Sequence, residues 1–187
     1  MTTKVKSLVD ELYEVPSKAE IINGEIVRMA PAGIRPGKAG LRIAASLQDY
    51  EDETQSGYAV ADNVGFLVDL PNRESFSPDA GYWVGDIAEI EGLKFVKGAP
   101  LFAVECRSEN DYGKGAEKKI REKIRDYFLA GTQAVWDVDL LSDTPIKLYL
   151  ASDPDNPIAF RRGELAHAEP VLPGWTFPVN NLFKRMS

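Results

Sequence analysis

The chain has 187 residues, 44% of them hydrophobic and 27% charged, which is ample for one domain with a full core and short for two. Its formal charge of −7 argues against a general basic-patch binder of nucleic acid, while leaving room for a nucleic-acid enzyme whose acids sit in a metal site. One cysteine and one histidine exclude an internal disulfide framework and a histidine-rich metal cage, and no apolar run approaches the roughly 20 residues needed to cross a bilayer.

The N-terminal apolar residues are interleaved with charges, unlike the h-region of a signal peptide, so a cytoplasmic location is expected. Leu8, Leu12 and Val15 have roughly helical spacing, closed by Pro16. Two short β-rich runs flank Asn23-Gly24, the preferred pair for a type I′ hairpin. Residues 39–53 repeat apolar positions at Leu41, Ala44, Ala45 and Leu47, with Tyr50 beyond, and predict a helix stopped by Gly57. A strand over 64–70, a turn over 71–75 and a strand over 77–84 follow, with Pro78 at a strand start, where a missing amide donor is tolerated. Residues 86–98 carry no clear pattern. A strand covers 101–107, and 113–131 is the clearest helix, with Ala116, Ile120, Ile124, Tyr127 and Phe128 on one face and Gly131 as its stop. Strands over 134–139 and 146–151 precede a Pro- and aromatic-containing closing segment. The order predicts a single α/β domain over 1–187 with a mixed sheet, not βαβ repeats.

Within that order, Glu105 interrupts an apolar strand, where an unpaired charge is costly. The bland account is an ion pair with Arg107 or a nearby lysine. Asp79 after Pro78 is, alone, an ordinary strand-start aspartate, and Lys119 and Lys123 on the next helix are, alone, solvated charges. Together, two carboxylates at neighbouring strand ends form a hard oxygen site suited to Mg²⁺ or Mn²⁺. Such an ion activates water for attack on a phosphodiester, and a nearby lysine can orient that water or stabilise developing charge. Cys106 is flanked by core residues and His167 has no nucleophile motif nearby, so both read as structural.

These residues resemble the Pro-Asp…(Asp/Glu)-x-Lys nuclease superfamily, and more closely its Uma family of restriction-endonuclease-like proteins. The segments "AEIINGEIVRMAP", "SPDAGYWV", "GAPLFAVECRS", "KIRDYFLAGTQAVWDVD" and "PVLPGWTFPVNNLF" are similar to that family's segments, in order, across nearly the whole chain. The resemblance implies a restriction-endonuclease-like fold: a central mixed β-sheet flanked by helices, with an N-terminal hairpin extension. It implies a metal-dependent endonuclease acting on DNA, with Asp79, Glu105 and the Cys106 backbone carbonyl as metal ligands and a helical lysine at the water. Arg107 stands where the strict superfamily pattern has lysine, and it is retained as a supporting residue. Counting from Ser108 favours Lys119; the longer match at Tyr127 and Gly131 favours Lys123, which is preferred. Glu20 is a further acid that could join the site. The other function in view is a catalytically inactive binding or regulatory module on the same fold. Nucleases that cut two strands often act as symmetric pairs, so a homodimer is expected.

Overall fold

The computed structural model describes residues 6–186. The reading of the N-terminus rests partly on residues 1–5, which lie outside the described residues. In chain order the elements are α1 (Leu8–Leu12), β1 (Ala19–Ile22), β2 (Glu25–Arg28), α2 (Ile34–Thr54), β3 (Tyr58–Ala61), β4 (Phe66–Leu70), β5 (Arg73–Phe76) and β6 (Ala80–Trp83). They continue with β7 (Val96–Lys97), β8 (Phe102–Cys106), α3 (Ala116–Leu129), β9 (Ala134–Val138), β10 (Ile146–Leu150), β11 (Asp153–Phe160), β12 (Leu165–His167) and β13 (Thr176–Pro178).

Six strands form a mixed sheet in the order β11-β10-β9-β8-β6-β3. The β8–β9 pair is parallel, because α3 is the crossover that a parallel connection needs. Strands β6 and β8 are antiparallel. A second, five-stranded sheet runs β2-β1-β5-β4-β7. The Asn23-Gly24 hairpin forms as its sequence predicts, with both residues at positive φ (52° and 72°). It continues into this second sheet through Ile22 opposite Arg73.

Strand alternation divides the core. From β8, Phe102, Val104 and Cys106 pack with α2 residues Ile43, Leu47 and Tyr50 and with the closing aromatics Trp175 and Phe177. Ala103 lies on the opposite face, with Val135, Tyr149, α3 residues Ile124 and Tyr127, and Phe66 and Phe76 of the second sheet. Glu105 and Arg107 share the parity of Ala103, so strand geometry aims both toward α3.

Several local expectations change. Helix α2 starts at Ile34, with Pro36 in its first turn, where the missing amide costs nothing. It buries Ile43 and leaves Leu41 and Ala45 exposed, a rotation of the expected face. Its stop is Gln55 in the left-handed region, not Gly57. Gly57 answers a different need: a Cβ there would meet the Trp83 carbonyl oxygen at 2.5 Å. The turn expected over 71–75 shrinks to Pro71-Asn72, and Arg73 onward is β5. Residues 86–98 hold a short 3-10 turn and β7. Strands β3, β11, β12 and β13 have no counterpart in the sequence reading. Helix α3 and its Gly131 stop (φ 109°) form as predicted.

Candidate active site

Glu105 sits one residue before the end of β8, on the face turned to α3. Two donors on one side of that helix meet its carboxylate: Lys123 Nζ at 2.8 Å and Tyr127 Oη at 2.6 Å. The four-residue spacing puts both side chains on one helix face. Of the two candidate lysines, Lys123 is therefore the one that reaches Glu105, while Lys119 is exposed. The leaning of helical side chains toward the N-terminus brings Lys123 over the strand end.

Asp79 lies just before β6. Its backbone N–H donates to the Val104 carbonyl oxygen at 3.0 Å. Its carboxylate accepts from the Cys106 N–H at 2.8 Å and from Lys18 Nζ at 2.7 Å. Asp79 is thus tied to the residues on both sides of Glu105, and each carboxylate carries its own lysine.

The second sheet supplies the rest. Glu20 on β1 is buried and takes Lys123 Nζ at 3.0 Å, Arg73 at 2.5 Å and the Ser77 N–H at 3.0 Å. Arg73 in turn donates to Asp126 on α3 at 2.9 Å, and Asn72 donates to the other Asp126 oxygen. Glu20 therefore joins the same cluster as Glu105 and Lys123. Arg107 does not pair with Glu105. Its guanidinium grips Asp137 on β9 at 2.8 and 2.6 Å and also meets Glu117 at the start of α3.

The electrostatics follow from this packing. Burial is the largest influence on Glu105 and raises its pKa; Lys123 opposes that, while Asp79 and Glu20 reinforce it. Glu20 is also penalised by burial, but Lys123, Arg73 and the Ser77 N–H outweigh the penalty and its pKa falls. Burial alone would lower Lys123, yet Glu105 and Glu20 prevail and hold it protonated. Burial, with Asp79 and Glu105 beside it, pushes the Cys106 thiol well up, which removes its nucleophilic character. Asp79, Glu105, Glu20 and Asp126 face Lys18, Lys123 and Arg73: four carboxylates to three cations.

A cleft of about 820 Å³ opens beside the Glu105 half of this cluster, with Glu20, Arg73, Glu105, Lys119, Lys123 and Asp126 in its wall, but not Asp79 or Lys18. Among the described residues, no preformed group of three or more His, Cys, Asp or Glu could hold a metal. The donor set is two carboxylates joined through the Cys106 backbone, each paired with a lysine. That suits Mg²⁺, which binds through one or two carboxylates and keeps several waters.

Lys18, Arg73 and Asp126 are missing from the sequence reading, where Tyr127 appears only as a residue of the apolar helix face. Lys18 had one legible signal, its position two before Glu20, which sends both side chains to the same side of an extended chain. Arg73 and Asp126 had none, because a charge in a turn or on a helix is normally solvated.

A family model described as "Uma2: Putative restriction endonuclease" matches residues 9–180. No curated protein matches the chain. A solved structure titled as a putative nuclease belonging to DUF820 from Anabaena variabilis ATCC 29413 superposes with a TM-score of 0.72 at 17% identity, covering 94% of this chain and 97% of that one. At that identity the likeness concerns the fold.

Proposed function

The chain belongs to the Uma2 family, and from that premise we propose that it is a metal-dependent endonuclease that hydrolyses phosphodiester bonds of DNA. The observation that carries the reading is Glu105: a carboxylate in an apolar strand, bridged to Asp79 through the Cys106 amide and capped by Lys123.

Asp79, Glu105 and the Cys106 carbonyl would hold Mg²⁺ or Mn²⁺. When bound, such an ion lowers the pKa of a coordinated water and neutralises charge on the phosphate. The protein side of the chemistry lies in positioning. Glu20 and Glu105 keep Lys123 charged and fix its ammonium at the cleft wall, where it can donate to the attacking water or to a phosphate oxygen. Tyr127 and Lys123 hold the Glu105 rotamer, and Arg73 with Asp126 holds Glu20. A homodimer would present two such sites to two strands.

One observation favours a second reading, a binding module without cleavage: Glu105 already has a protein cation in Lys123, as a purely structural pair would. Titration with Mg²⁺, followed by a nicking assay on supercoiled DNA, separates the two. The nuclease binds the ion and nicks only in its presence, and Asp79→Asn loses both. Binding of DNA with no ion uptake and no nicking would establish the module instead.

A further inference from the structure

Lys18 is unlike the other cations of the cluster. Its ammonium is shared between Asp79 Oδ1 at 2.7 Å and Asp62 Oδ1 at 2.6 Å. Asp79 is one of the two side chains proposed to hold the metal, while the Asp62 side chain is 62% exposed and belongs to no other part of the site. The Lys18 backbone is pinned, its carbonyl accepting from the Met29 N–H at 2.9 Å. The side chain, 21% exposed, therefore has one fixed root and two alternative anchors. A cation thus already sits on Asp79, where the proposed divalent ion must go.

We propose that Lys18 is a built-in counter-cation of the metal site, resting on Asp79 in the metal-free protein and withdrawing to Asp62 when a divalent ion binds. This rests on the nuclease reading for the identity of the metal ligands. Without Lys18, Asp79 would stand near Glu105 with no lysine of its own, because Lys123 pairs with Glu105 and Glu20. With it, both carboxylates are held in place until the ion arrives. The cost is competition: part of the metal's binding energy goes into displacing an ammonium. Asp62 lowers that cost by receiving the displaced charge.

The test is calorimetric titration of Mg²⁺ and of Mn²⁺ alone, without DNA, into the full chain. Lys18→Met keeps the stem and removes the charge, and is expected to tighten both ions about two- to fivefold, the range for breaking an ion pair open in part to solvent. Asp62→Asn removes the second anchor and is expected to weaken binding several-fold. In the double variant the Asp62 effect should vanish, because it acts only through Lys18; a merely structural Asp62 would weaken binding in either background. Thermal melts confirm that each variant is folded, and Lys18→Gln serves if the methionine variant is not. If wild type binds metal through Asp79 but Lys18→Met binds equally or more weakly, the counter-cation role is overturned and the nuclease reading stands. If neither wild type nor Lys18→Met takes up metal, both fall.

Discussion

Glu105 holds a position where charge is expensive, and its two donors show how the expense is met. Glu105→Gln keeps the volume and leaves Tyr127 a carbonyl oxygen to donate to, but turns its NH2 toward Lys123, which keeps Glu20 as a partner and is open in part to water. Stability should therefore fall by about 1–3 kcal/mol. Loss of a metal ligand should weaken Mg²⁺ binding by more than about tenfold; a large loss of stability with metal binding intact would make Glu105 a purely structural partner. Lys123→Met should reduce cleavage by about 10²–10³-fold, the range for losing one charge-stabilising donor, whereas Lys119→Met should keep most of it; single-turnover nicking measures both. For Glu20 the sign of the pH effect is set by its lowered pKa. A carboxyl that is more acidic when folded stabilises the fold above its unfolded pKa, near 4.5, and that contribution disappears as pH falls through the folded value. Glu20→Gln, whose amide would face Arg73 or Lys123 donor against donor, should cost about 3–5 kcal/mol near neutral pH. The difference from wild type should shrink in urea melts taken progressively below pH 4.5.

The site is assembled where elements meet, so spacing between strands matters as much as the side chains. Gly81 on β6 follows Asp79 closely, and a Cβ there would meet the Phe102 carbonyl oxygen of β8 at 2.7 Å. Backbone cannot yield as a flexible side chain does, so Gly81→Ala must push β6 away from β8. It should cost about 1–3 kcal/mol, as overpacking does, and should also weaken metal binding, because Asp79 moves with β6. A stabilised or unaffected protein in thermal melts, with unchanged Mg²⁺ affinity, would mean that the strand spacing does not set the site. Helix α3 was legible in its apolar spacing and its Gly131 stop, and its lysine could be chosen because Lys123 borders the Ile124–Tyr127 face. Asp126, buried on another side of the same helix, was not legible. Its partners, Asn72 and Arg73, sit more than fifty residues away in a segment that reads as a polar turn.

At the scale of the molecule, two sheets meet through α3 and through the Glu20–Arg73–Asp126 network. The hairpin that carries Glu20 is held on the site by β5 as well as by its own turn. Among the described residues no helix is long and apolar enough to cross a membrane. If two strands of DNA are cut by paired sites, light scattering should give twice the chain mass of 20.7 kDa; a mass equal to one chain would leave each protomer to cut alone.

The amino-acid order by itself determined what depends on neighbours along the chain. The Asn23-Gly24 turn, the amphipathic α3, the apolar β8 with its misplaced glutamate and the Pro78-Asp79 strand entry all follow from local sterics and periodicity. Those local patterns carried the family resemblance and the choice of Asp79, Glu105 and Lys123. Tertiary structure alone decided which charges share a site. Lys18, Arg73 and Asp126 are ordinary polar residues in their own segments; the meeting of β1, β5 and α3 buries Arg73 and Asp126 against each other and Glu20, and the approach of the β6 entry sets Lys18 against Asp79. Arg107 shows the same rule from the other side. It lies two residues from Glu105 and on the same face, yet Asp137, which stands opposite Glu105 on the adjacent parallel β9, takes its guanidinium through two hydrogen bonds.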